Sequence, residues 1–129
     1  MTAERDLAVL LSSMRPVRRP GTFVFATLTP DAPVPPDAQA TISEEEGLTV
    51  VLPQPTADAL GLAYDFVAAW ITLQVHSALD AVGLTAAVSA RLTEHGISCN
   101  VLAGHHHDHL LVPQERADDA LVALRALSG

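Results

Sequence analysis

Residues 51–58 read VLPQPTAD and residues 111–118 read LVPQERAD, one pattern written twice at an offset of 60. Pro53/Pro113, Gln54/Gln114, Ala57/Ala117 and Asp58/Asp118 are identical, and the flanking aliphatic residues agree in kind. In both copies the segment joins a predicted strand to a predicted helix, which marks an internal duplication. The expectation is two small units, residues 1–65 and 66–129, packed as one body around a shared core. A chain of this length buries roughly two thirds of its unfolded surface, enough for an independent fold.

The second copy is the more regular. Ile71, Leu73 and Val75 alternate with Thr72, Gln74 and His76, the period of a half-buried strand. A turn, HSALDAV, leads to a helix from about Gly83, with Leu84, Val88 and Leu92 on one apolar stripe. Gly96 stands where that helix should stop, since glycine enters the left-handed cap without steric cost. Strands are expected at Ile97–Ala103 and His109–Val112, closed by Pro113, and a last helix from Gln114 to Leu127 buries Ala117, Leu121 and Leu124.

The first copy is less complete. Thr2 caps a predicted helix through about Ser13, with Leu7, Leu10, Leu11 and Met14 as its stripe. Arg15-Pro16 ends it. Arg15, Arg18 and Arg19 read as a solvated connector, although three arginines this close could also clamp a carboxylate or phosphate. Thr22–Leu28 is a strand, and Thr29–Asp37, with four prolines in nine residues, is a surface loop. Short strands at Ala38–Ser43 and Leu48–Leu52 flank a turn at Glu44–Gly47, whose three glutamates read as solvated rather than metal-binding. A helix at Thr56–Leu60 stops at Gly61. The first unit therefore lacks the helix between its first two strands, and the N-terminal helix is expected to cover the face left bare. The second unit lacks its fourth strand, which Thr22–Leu28 is expected to supply.

The run VGLTAAVSARLTEHGISCNV and the HLLVP strand after it resemble an ACT domain. The whole chain is similar to small stand-alone proteins of two tandem ACT units, related to the ACT pair of aspartokinases. The resemblance implies an α/β (α+β) fold of the ferredoxin-like βαββαβ type and a regulatory protein that binds an amino acid. It places the ligand at the strand-to-helix turn, at a unit or subunit interface, and implicates His76, Ser77, Asp80, Val82, Gly83, Leu84 and Thr85. Asn100 resembles the asparagine that completes such sites, while Val82-Gly83 departs from the family's frequent Pro-Gly pair. The residues themselves suit the task. The helix start offers unpaired N–H groups and a positive dipole end for a carboxylate, Gly83 allows close approach, and Asp80 could pair with an ammonium group. The opposing reading is an ordinary helix start with Asp80 as its cap.

Four of the six histidines lie within GHHHDH, residues 104–109. In an extended strand His105, His107 and His109 share one face, and imidazole is a usual ligand of Zn, Ni or Cu. Their spacing of roughly 6–7 Å is wide for one metal, so a polar turn competes with a metal site. The alternatives to an amino-acid sensor are a metal-binding protein using this loop and a ligand-free dimeric adaptor.

Composition excludes several classes. The net charge of −8 argues against nucleic acid. All seven basic residues are arginine, so Schiff-base and P-loop lysine chemistry are absent. No apolar run approaches the roughly 20 residues of a membrane span, and the charged start lacks a signal-peptide core. The single cysteine, Cys99, permits no intrachain disulfide and reads as buried rather than reactive. His76 and Ser77 are strand neighbours on opposite faces and make a poor dyad. The expectation is a cytoplasmic, non-enzymatic, cofactor-free homodimer that acts on a regulated protein partner.

Overall fold

The computed structural model describes residues 3–128. The elements in chain order are α1 (Leu7–Ser13), β1 (Arg15–Leu28), β2 (Ala40–Glu44), β3 (Gly47–Pro53), α2 (Gln54–Ala59), β4 (Val67–Gln74), α3 (Leu84–Glu94), β5 (Asn100–Ala103), β6 (Asp108–Pro113) and α4 (Ala117–Ser128). The chain divides into two compact units, one of residues 1–20 with 69–129 and one of residues 21–68. Among the described residues no helix is long and apolar enough to cross a membrane.

In the larger unit the strands follow the order β1, β4, β6, β5. Ala69, Ile71 and Leu73 of β4 and Leu110 and Val112 of β6 send alternate side chains into one core, where α3 contributes Leu84, Val88 and Leu92 and α4 contributes Ala120 and Leu124. β1 begins at Arg15, and its start, residues 15–20, belongs to the larger unit, whereas Thr22–Leu28 belongs to the smaller one, where Phe23–Leu28 pair with β3. The arginine cluster is therefore strand, not connector. The alternation of exposed Arg15 and Val17 with buried Pro16 overrides the two prolines that argued against it.

Helix α1 also departs from expectation. It is capped by Asp6, whose carboxylate accepts the Val9 N–H, while Thr2 lies outside the described residues. Its Leu10 and the Met14 that follows the helix join the larger unit's core, and the helix packs against α3 and α4 instead of covering the first copy. Helix α3 ends as its sequence predicts. Gly96 has φ 68°, the Ile97 N–H reaches Leu92 O at 3.0 Å and the Gly96 N–H reaches Thr93 O at 2.9 Å, a Schellman cap. Those turns consume residues 97–99, so β5 starts at Asn100 rather than Ile97.

In the smaller unit β3 lies between β2 and β1 and pairs antiparallel with both, with Ala40 opposite Val51 and Val24 opposite Leu52. Val24, Ala26, Leu28, Val50 and Leu52 alternate onto one face and close a core with Ala57 of α2. No helix stands between β1 and β2, in keeping with the proline loop. The prolines of the duplicated segment share one backbone geometry, although an α-helix follows directly in the first copy and a 3-10 turn, Gln114–Arg116, in the second. Pro53 (φ −57°, ψ 138°) and Pro113 (φ −53°, ψ 132°) each end a strand and begin a helical turn.

Candidate functional site

The turn between β4 and α3 is shaped by the chain's own N-terminal segment. Glu4 N–H donates to His76 O and Ala78 N–H donates to Glu4 O, both at 2.9 Å, so Glu4 pairs in parallel with Ser77. Arg5 Nε donates to Asp80 Oδ1 at 2.9 Å, although both side chains are mostly exposed. Asp80 is thus neither the helix cap nor a free acid. Gly83, with φ 103°, is the residue before α3, and a Cβ there would come within 2.9 Å of Leu7 Cδ2. The close approach that glycine permits at this turn is therefore made by Leu7.

Beyond Gly83 the helix begins at Leu84. No side chain caps it and its first turn contains no acid, so its leading N–H groups lack intrahelical partners. Beside it lies a cavity of about 100 Å³ bounded by Ser77, Ala78, Ala81, Thr85, Ala103 and Asp108. Its one charged wall is Asp108, paired across the β5–β6 ladder with Ala103. Burial pushes the Asp108 carboxyl above the usual carboxylate range, with the neighbouring His107 pulling it back down.

Among the sequence-predicted residues, Ser77, Leu84 and Thr85 meet at this cavity. His76 instead faces His106, with ring centroids 5.5 Å apart. Val82 projects outward at 82% exposure, and Asn100 sits on β5 opposite Leu111, away from the cavity lining. Asp108 is not among the sequence-predicted residues. Its signal was parity: it falls in register with Leu110 and Val112, which point into the core.

The histidine loop does not form the alternating strand that the metal reading needed. Gly104 N–H donates to His107 O at 2.9 Å, which turns the chain, and β6 starts only at Asp108. His105 packs edge-on against His106, His107 Nδ1 lies 3.4 Å from Val75 O, and His109 turns toward Trp70 and Thr72. Among the described residues no three His, Cys, Asp or Glu side chains are grouped to hold a metal ion. Burial pushes the Cys99 thiol up to about 11, which suppresses the nucleophilic thiolate at neutral pH.

Comparison with known proteins adds the family context. ACT-domain profiles match residues 2–69 and 66–126. A Vibrio cholerae protein of unknown function, described as a possible transport protein, is 44% identical, with a TM-score of 0.83 over 95% of this chain and 96% of that one. An Agrobacterium tumefaciens protein superimposes with a TM-score of 0.63 at 20% identity, over 89% of each chain. Escherichia coli aspartokinase III, solved with aspartate and ADP, gives 0.60 at 13% identity over 88% of this chain and 32% of its own. These last two likenesses concern the fold alone. No curated protein matches the chain.

Proposed function

Because the chain belongs to the ACT domain family and carries two such units in tandem, and because ACT domains typically bind amino acids for regulation, we propose that it is an amino-acid sensor rather than an enzyme. The observation that carries this reading is the small cavity at the start of α3, whose lining includes Asp108 together with Leu84 and Thr85 of the first turn of that uncapped helix. A zwitterion satisfies both at once. Its carboxylate takes the N–H groups and the positive dipole end beyond Gly83, and its ammonium group takes Asp108, relieving the cost of burying that charge. Ser77 and Thr85 supply hydroxyls at the rim, while Asp80, already held by Arg5, shapes the turn.

A volume of about 100 Å³ lies below the roughly 300 Å³ of drug-sized pockets, which suits a small ligand. In this reading the protein works in the cytoplasm as a homodimer and passes ligand occupancy to a protein partner.

The test is thermal unfolding against each of the twenty amino acids, with Zn and Ni as separate arms. A ligand at about 100 times its dissociation constant stabilises the native state by roughly 2.7 kcal/mol. One small amino acid should raise Tm, and Asp108→Asn should abolish that rise while itself raising the ligand-free Tm slightly, because it removes a partly buried charge. A panel with no amino-acid shift, or a shift indifferent to Asp108→Asn, overturns the assignment.

A further inference from the structure

Charge is distributed very unevenly along this chain. Residues 21–68 contain seven of the fifteen acidic residues and none of the seven arginines. The rest of the chain sets its remaining eight acids against all seven arginines and is close to neutral. The smaller unit therefore carries nearly the whole net charge of −8, and its field concentrates cations near its surface.

On that unit lies an open surface cavity of about 370 Å³, separate from the more enclosed one at α3, lined by Phe25, Thr27, Thr49, Tyr64 and Asp65. Its volume falls within the roughly 300–1,000 Å³ typical of small-molecule sites. The lining combines two aromatic rings with a carboxylate and contains no basic group. Two of its polar members lead to further acids. The Tyr64 hydroxyl donates to Asp58 Oδ1 at 2.7 Å and accepts from Gln54 Nε2 at 2.9 Å, and the Thr49 hydroxyl donates to the Glu44 carboxylate. Donation to a carboxylate pushes electron density back into the Tyr64 ring and strengthens its attraction for positive charge. The ion pairs among the described residues engage Asp80, Glu94 and Asp119, and leave Asp65 available.

We infer that this cavity binds a small alkylammonium cation of about choline size, held by the aromatic faces of Phe25 and Tyr64 and by the Asp65 carboxylate. The chemistry discriminates by charge. A zwitterionic amino acid would bring its carboxylate toward Asp65 and the acids behind Tyr64 and Thr49, so this is not a second copy of the α3 site. A neutral molecule of the same shape would fill the volume without the charge–ring or charge–carboxylate attraction.

The experiment titrates the full chain with choline and, separately, with 3,3-dimethylbutan-1-ol, its neutral carbon counterpart. Tyr64 is the only tyrosine, so its ring resonances form a single addressable NMR set. Choline should shift them saturably and the alcohol should not. Asp65→Asn should weaken the choline affinity roughly two- to fivefold, the value of an exposed charge contact, and Phe25→Leu by at least as much. Asp65 is exposed, so its substitution tests the site without threatening the fold. Equal binding of alcohol and choline, or choline binding that leaves the Tyr64 ring unshifted, overturns the inference. These readouts are independent of the amino-acid panel.

Discussion

His109 shows how much chemistry one side chain fixes. Its Nδ1 lies 3.2 Å from Trp70 Nε1 and 3.0 Å from the Thr72 hydroxyl. An indole N–H only donates, so Nδ1 acts as acceptor and the ring proton sits on Nε2. Arg19 of β1 stacks over the Trp70 ring at 4.2 Å, bringing a permanent positive charge to the cluster. Burial, reinforced by Arg19 and by His107 in the preceding turn, lowers the His109 pKa below its ordinary 6.5. In the unfolded chain the ring therefore takes up a proton at higher pH than in the folded one. Its contribution to stability is complete above about pH 6.5 and is lost as pH falls from there through the folded value. The expected outcome is a Tm that declines between pH 7 and pH 5.5, with a smaller decline for His109→Gln, which keeps an acceptor for Trp70 but does not titrate. Trp70, the only tryptophan, reports the transition by its own fluorescence. Asp108 runs oppositely: its raised pKa favours the fold below its ordinary range and loses that contribution as pH rises through the folded value. An identical decline in both proteins would show that His109 is not the group responsible.

At the scale of the element, α3 has a glycine beside each end, and the two serve different ends. Gly96 has φ 68° and open space where a Cβ would stand, so Gly96→Ala should cost only the backbone conformation, about 1 kcal/mol. Gly83 has φ 103° and Leu7 in contact, so Gly83→Ala should cost about 2–3 kcal/mol and loosen the N-terminal segment from the turn. Urea unfolding of both variants measures the difference; equal costs would mean that Leu7 yields freely. This helix also marks what was legible in the sequence. Leu84, Val88 and Leu92 declared its buried face, and Gly96 declared its end, because spacing and cap chemistry are local. Residues 15–20 were unreadable as strand, because their pairing partner is β4, far along the chain, while Pro16, Pro20 and three arginines spoke for a loop. The location of α1 escaped for the same reason: its stripe was visible, but a stripe does not name the face it covers. The cavity was half legible. Ser77, Leu84 and Thr85 followed from the turn, whereas Asp108 and Ala103 come from a hairpin whose register local patterns did not set.

For the molecule as a whole, the uneven charge has a consequence for stability. Seven acids without a basic partner in residues 21–68 repel one another through water, and such self-repulsion works against the folded state. Glu44, Glu45 and Glu46 concentrate it at one exposed turn between β2 and β3. Salt at about 0.15 M shortens the reach of these charges to about 8 Å and at 1 M to about 3 Å, so Tm should rise as sodium chloride is added from low ionic strength. Glu45→Lys should reproduce part of that gain, raising Tm by about 1–2 °C in low salt, and the advantage should fade at 1 M. Thermal unfolding of both proteins across a salt series separates this from a local effect, because a new contact made by the introduced lysine would keep its gain at high salt. The same substitution bears on ligand choice. If the smaller unit's field draws alkylammonium ions to Phe25, Tyr64 and Asp65, weakening it at a turn outside the cavity should lower choline affinity modestly in low salt and not at all in high salt. A long-range field and a local contact can therefore be told apart within one experiment.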